Sequence, residues 1–388
     1  MKRIKIILAA LCFAILFCAC QEAPREVREN MKKYGDNPQL ESSEITYCSV
    51  DEIKQAKLPE LTGSNLSFPE HIDFSGVEDV EILHLSLEKD FLNESNVKKY
   101  MTLFGGDLEE IEREKKSDET DSGVDIIEYE NEEEQKYVSI LENGGMVRMA
   151  GLSYTYFPNK IEHKYQIDKE NVSDVNVSLK DGKVNLADLC RRSEDWMEEN
   201  FPIKGIRYKI SDAFIRKMEH TDARKVSMCA EYEYKGIRLD DHTMPQTEER
   251  WDLSTECTTT NLAVQMEYDD ESIPSFFSRN EGFVIDSAEK VEKVVDFESA
   301  VRIVNETLSG FGTFEITEVC PLYALYVEED YNMPGAGISA RPVYAFLVQA
   351  QGEEPGMGIL KFGTCKNFFL VDMVTGELVT DSDIGRSG

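Results

Sequence analysis

A single apolar run constrains where this 388-residue chain can fold. Met1-Lys2-Arg3-Ile4-Lys5 is a short basic head, Ile6 to Phe17 is an apolar stretch, and Cys18-Ala19-Cys20-Gln21 closes it with small residues. A basic head stays on the cytoplasmic side, the apolar core enters the membrane, and a small residue before a cysteine suits a narrow cleavage pocket. The stretch is shorter than the ~20 apolar residues of a comfortable membrane helix. No later stretch reaches that length, so the rest of the chain is expected to fold as a water-facing body on the far side of the membrane.

The order of these parts resembles bacterial lipoprotein signals, in which cleavage precedes a cysteine whose thiol carries a lipid. The resemblance covers the leader alone. It places signal cleavage after Ala19 and lipidation on Cys20. Phe17 stands where such signals usually have leucine, which leaves Cys18 as a minor alternative. The implied localisation is the extracytoplasmic face of a bacterial cell membrane, with the lipid on Cys20 as the membrane partner.

Charge narrows the partners. The formal net charge is −33, and removal of Lys2, Arg3 and Lys5 with the leader makes the remainder more negative still. A polyanion repels nucleic acid and bare anionic headgroups, so no nucleic-acid partner is expected, whereas a cationic partner is attracted. The plain reading of the same charge is solubility of a tethered body. With 41 % hydrophobic residues the chain has enough apolar surface to build real cores.

Six cysteines fall in the body: Cys48, Cys190, Cys229, Cys257, Cys320 and Cys365. An export address permits disulfides, and six cysteines allow 15 pairings. No CxxC spacing occurs. Several of the six sit in apolar patterns, such as Cys229 in Val226-Ser227-Met228-Cys229-Ala230, and free buried thiols are favoured over a disulfide framework.

Periodicity organises the chain into a leader (1–19), a polar tether (20–45) and three folded regions (46–170, 171–285 and 286–382). In the first, Val80 to Leu87 alternates like a strand, Asn93 to Leu103 reads as a short helix, and 107–125 is an acid-rich insert. Tyr137–Leu141 and Met146–Ala150 flank Glu142-Asn143-Gly144-Gly145, a hairpin signal. In the second, Leu186, Leu189, Cys190, Met197 and Phe201 recur at helical spacing before strands near 208–214, 225–234 and 258–268. In the third, Asp296 caps a helix carrying Phe297, Ala300, Val301, Val304 and Leu308, followed by strands near 314–327, 343–349 and 368–373. The second and third regions thus share an order, helix then antiparallel strands.

Two passages carry a further resemblance. One is Ala230-Glu231-Tyr232-Glu233-Tyr234-Lys235-Gly236-Ile237-Arg238-Leu239. The other is Ala340-Arg341-Pro342-Val343-Tyr344-Ala345-Phe346-Leu347-Val348 with Asn367 to Glu377. The closing strand, aspartate and Thr375-Gly376 turn resemble the last hairpin of PepSY-like domains. Tandem units of this kind resemble extracytoplasmic regulators of cell-wall-stress kinases and lipoproteins of low-GC Gram-positive bacteria. The resemblance spans roughly 180–380 and implies a binding or regulatory module. The expected fold is therefore α+β: tandem units of a helix packed on an antiparallel sheet, preceded by a smaller acidic α+β region.

Motifs for chemistry are sparse. His71, His84, His163, His220 and His242 form no HExxH or HxH pattern, and no cysteine lies at zinc spacing to them. GxSxG and GxxxxGK[ST] do not occur. No metal or cofactor is expected, and no catalytic residue is assigned. Tyr331, Met333 and Asp372 are candidate partner-binding residues, the first two at an irregular Gly/Pro loop and the third at the closing turn. Asp372 also reads as a plain turn acceptor. The leading expectation is a non-enzymatic module for an envelope protein or peptide. A hydrolase using paired carboxylates and a solute-binding lipoprotein are the alternatives.

Overall fold

A computed structural model describes residues 45–59, 66–69, 72–88, 91–104, 109–110, 126–150, 161–217, 222–240, 264–308, 314–327, 338–350 and 368–379, apart from positions 132, 134, 143, 168, 271–272 and 280–281. Ala19, Cys20, Tyr331, Met333, Cys257, Cys365, the tether up to residue 44 and most of the acidic insert lie outside these residues.

The first region contains β1 (Tyr47–Cys48), α1 (Val50–Ile53), β2 (Leu66–Ser67), β3 (Glu81–Leu87), α2 (Glu94–Phe104), β4 (Glu109–Glu110), β5 (Ile126–Asn131), β6 (Lys136–Leu141), β7 (Met146–Ala150) and β8 (Ile161–Gln166). Next come β9 (Asn176–Ser178), β10 (Lys183–Asn185), α3 (Leu186–Asn200), β11 (Ile206–Lys217), β12 (Arg224–Tyr234), β13 (Ile237–Asp240), β14 (Val264–Tyr268) and β15 (Phe276–Arg279). The chain continues through β16 (Phe283–Lys290), β17 (Val294–Val295), α4 (Phe297–Leu308), β18 (Phe314–Val327), β19 (Ile338–Ala350) and β20 (Phe368–Asp372).

The helices follow local rules. Asn185 caps α3 by accepting from the Asp188 N–H at 3.1 Å, and the buried face is Leu186, Leu189, Cys190, Ser193 and Met197. Asp296 caps α4 through the Ser299 N–H at 2.6 Å, and Phe297, Ala300, Val301, Val304 and Leu308 are buried as the spacing predicts. The β12–β13 connection is a two-residue turn with Lys235 at φ 50° and Gly236 at φ 79°. A Cβ on Gly236 would come within 1.8 Å of the Gly76 carbonyl oxygen, so glycine is required for close approach as well as for φ.

The strands overturn the expected architecture. Among the described residues, sixteen of them join one mixed sheet in the order β16-β3-β19-β18-β13-β12-β14-β15-β7-β6-β5-β4, with β11 and then β8 attached to β12, β2 to β18 and β20 to β19. The chain is mostly β-sheet rather than α+β, and tandem units of a helix packed on an antiparallel sheet are not what it forms. β13 pairs in parallel with β18, β15 pairs with β7, and β16 pairs with β3, so each expected unit is hydrogen-bonded into the next. Alternation identifies a strand and its buried face. Which edge it pairs with is set by long-range packing.

One core runs through all of this. Val226, Met228, Ala230 and Tyr232 of β12 face the same side as Val264 and Met266 of β14 and Phe277 of β15, and the same continuous cluster includes Val301 and Val304 of α4 and Tyr344 of β19. The other face of the C-terminal strands buries Leu322, Ala324, Val343, Ala345 and Leu370 as a second cluster. Strands of 11 to 14 residues such as β12 and β18 thus bury side chains on both faces.

Candidate functional site

The sheet gathers charge in two places and, among the described residues, ends in several strands that have a single strand partner, β8 and β16 among them. The first buried site lies on the core face at the junction of β15, the end of β3 and α2. Arg279, 2 % exposed, donates from Nη2 to Glu88 Oε2 at 3.4 Å. Its guanidinium sits 5.6 Å from the centroid of the Phe201 ring, and the Tyr232 side chain lies against it. Phe201 stacks on Phe277 at 4.8 Å and on Tyr100 at 5.2 Å, while Tyr208 packs on Tyr232 at 5.1 Å. Lys99 and Tyr100 of α2 donate to the Asn200 carbonyl, and Tyr208 donates to that of Phe201 at 2.6 Å, so the C-terminal carbonyls of α3 are satisfied by this cluster.

Glu88 is 24 % exposed. Burial pushes its carboxyl above the ordinary value of 4.5, and the Arg279 and Lys99 cations offset only part of that. A carboxyl whose pKa is raised by folding holds its proton more tightly in the native state. Its contribution to stability is therefore full below 4.5 and is lost as pH rises through the raised value. Glu88→Gln keeps the neutral shape. The stability of the native chain relative to Glu88→Gln is expected to be highest below pH 4.5 and to decline above it. Urea titrations from pH 4 to 8, followed by tryptophan fluorescence, check this; a difference that rises with pH contradicts it.

The second site, only partly buried, covers the opposite face of the sheet. Lys225 Nζ lies 2.8 Å from Glu267 Oε2, and Ser227 donates to Glu267 Oε1 at 2.7 Å. Arg238 pairs with Glu231 at 3.1 Å, Lys164 with Asp212 at 3.5 Å, and Arg341 with Asp372 at 2.9 Å. The register puts these pairs on one face, from β8 across β12 to β20. Asp372 also accepts the N–H groups of Val374 (2.7 Å) and Thr375 (2.9 Å). Its oxygens thus hold the closing turn and Arg341, and burial raises its pKa against those contacts. Tyr331 and Met333 lie outside the described residues, so Asp372 is the one candidate partner-binding residue with a described position.

Disulfide chemistry differs in part from expectation. Cys229 is disulfide-bonded, while Cys48 and Cys190 are free thiols. The expectation of free buried thiols is corrected at Cys229 and matches the state of Cys190, whose thiol lies 3.7 Å from Met228 Sδ. Burial pushes the Cys190 thiol up to about 12, which keeps it protonated and inert.

Open backbone lies at several sheet edges, β8 and β16 among them. Among the described residues, β8 pairs only with β11, and β16 pairs only with β3. On β8, Ile167 donates to the Ser211 carbonyl, so by alternation the main-chain groups of Lys164 point away from β11. On β16, the Val291 N–H donates to the Val80 carbonyl, so those of Lys290 and Ala288 point away from β3.

Neither Arg279 nor Glu88 stands out in the sequence. A signal is present for Arg279: in Phe276-Phe277-Ser278-Arg279 it shares the parity of the buried Phe277. Glu88 lies just past the alternating run, and only the fold brings it to Arg279.

No family model matches the chain, and no curated protein matches it. Among solved structures, it is similar to an uncharacterized protein from Eubacterium rectale ATCC 33656, with 14 % identity and a TM-score of 0.47 over 82 % of this chain and 92 % of that one. Among the described residues, no helix is long and apolar enough to cross a membrane.

Proposed function

We propose that this chain is a lipid-anchored extracytoplasmic module, held at the cell membrane through Cys20, that binds an envelope protein or peptide and carries out no chemistry of its own. The observation that carries this reading is the open edge of β8, where outward main-chain groups and the exposed Lys164 side chain offer a place for an extended segment to add as a further strand. The net charge of −33 favours a segment that is net basic. The disulfide at Cys229 supports an oxidising compartment, in keeping with the leader. The buried Arg279 and Lys225 and the half-buried Arg341 each sit against a carboxylate and tie strands together.

Two measurements on the full chain in its cell test this. Labelling with an alkyne fatty acid is expected to tag the native chain and not Cys20→Ala. A photo-crosslinking residue at position 164 is expected to capture one envelope protein through a basic segment, while the same residue at the exposed position 174 captures none. Absence of the lipid label refutes the anchor. Equal products at the two positions, or none at 164, refute the binding edge.

A further inference from the structure

Arg148 is a buried cation with nothing paired to its charge. It lies on β7 and is 5 % exposed, yet its Nη1 has no hydrogen-bond partner, and no carboxylate comes within ion-pair distance of it among the described residues. Lys225 and Arg279, similarly buried, each hold a glutamate. Asp269 and Asp270 are near enough to favour the Arg148 charge without pairing with it, and burial still brings its pKa down to about 10. A water molecule satisfies an N–H but not a net charge, and an uncompensated buried charge is costly.

The register shows what surrounds this side chain. Arg148 opposes Phe277 of β15, which opposes Met266 of β14, so Arg148, Phe277, Met266 and Tyr268 share the core face. Two helices cover that face here. From α2, the Phe104 ring lies 5.7 Å from the Arg148 guanidinium and 6.1 Å from the Phe277 ring. From α3, Trp196 meets Phe277 edge-on at 5.3 Å, and Ser193 Oγ lies 3.2 Å from Tyr268 Oη. Arg192, exposed on α3, and Arg148 both act on Tyr268, offsetting part of the burial that pushes its hydroxyl up to about 12. The guanidinium thus sits at the seam between the C-terminal end of α2 and α3. Phe104 lies beside it, and the half-buried Trp196 and exposed Arg192 mark the outer side.

We propose that Arg148 anchors a site for a small organic carboxylate at this seam. A guanidinium presents a planar fork of N–H donors that matches the two oxygens of a carboxylate. One buried cation suits one negative charge. A dianion such as phosphate brings more charge and hydration than this apolar seam and the neighbouring Asp269 and Asp270 tolerate. The aromatic rings suit a carboxylate with an apolar body, and Arg192 at the rim draws an anion inward against the overall charge of −33. The site lies on the core face of β7 and does not involve β8, so it stands independently of the envelope-partner reading.

Thermal unfolding and titration calorimetry of the full chain test this, with benzoate, acetate and phosphate as probes against chloride at equal ionic strength. Benzoate is expected to raise the melting temperature of the native chain with increasing concentration, as binding to the folded state alone requires. Acetate lacks the apolar body and is expected to bind about tenfold more weakly, and phosphate at least about tenfold more weakly. Arg148→Met keeps the side-chain bulk without the charge and is expected to abolish the benzoate response. Arg148→Lys keeps the charge but not the fork and is expected to weaken benzoate about tenfold, which also reads the site if the methionine variant does not fold. No benzoate response beyond that of chloride, an undiminished response in either variant, or phosphate binding as tightly as benzoate overturns the inference.

Discussion

Arg279→Ala is expected to destabilise the chain by about 3–5 kcal/mol, the range for breaking a buried ion pair from one side. The loss has three parts: Glu88 is left without the cation 3.4 Å away, the Phe201 ring loses the guanidinium stacked near it, and a gap opens beside Tyr232. The cost should also depend on pH. Without Arg279 the Glu88 carboxylate is harder to keep ionised, and protonation relieves the unpaired charge. The destabilisation is thus expected to be largest at pH 7–8 and to shrink toward pH 4. Denaturant titrations at both ends of that range, followed by tryptophan fluorescence, measure it. A cost below about 1 kcal/mol at pH 7.5, the level of an exposed pair, would show that the cluster does not hold the sheet to α2 and α3.

The second large effect is expected at Tyr344, in the C-terminal part of the core. The residue is fully buried, its ring lies 5.8 Å from that of Phe74 and 5.6 Å from that of Phe297, and its hydroxyl donates to the Val295 carbonyl at 2.8 Å. Tyr344→Ala removes a large aromatic from a packed site and is expected to cost about 3–5 kcal/mol. Tyr344→Phe keeps the ring and leaves one carbonyl without its side-chain donor, at a cost of about 1–3 kcal/mol. The two variants separate packing from hydrogen bonding in the same denaturation experiment. If the phenylalanine variant loses as much as the alanine variant, the hydroxyl contact to Val295 outweighs the ring's packing and the packing argument fails.

The two sites explain why the sheet is continuous. Arg279 and Glu88 sit where β15, β3 and α2 meet, and Tyr344 sits where β19 meets α4 and β17. In each case residues far apart in sequence share one buried contact. Such contacts make the fold a single body.

Much of the local structure is legible in the residues. The alternation of Val80 to Leu87, the Asn-Gly signal near residue 144 and the stripe from Phe297 to Leu308 correspond to β3, the β6–β7 hairpin and α4. These signals are local: side-chain period, capping oxygens and turn glycines act within a few residues. The two-residue turn at Lys235-Gly236 belongs with them, since positive φ at both positions leads directly to the β12–β13 hairpin. Strand pairing is different in kind. Nothing in Ile237–Asp240 says that it will lie parallel to β18, because every strand offers the same main-chain donors and acceptors on both edges. The burial of Arg279 is decided the same way, by a carboxylate that arrives from residue 88. The sequence alone thus determined the three longer helices, the β6–β7 hairpin and strands such as β3, β11, β12, β18 and β20. Only the tertiary structure decided their order in the sheet, the partners of its buried charges and the edges it leaves open, because those depend on contacts between segments that the chain brings together only when it folds.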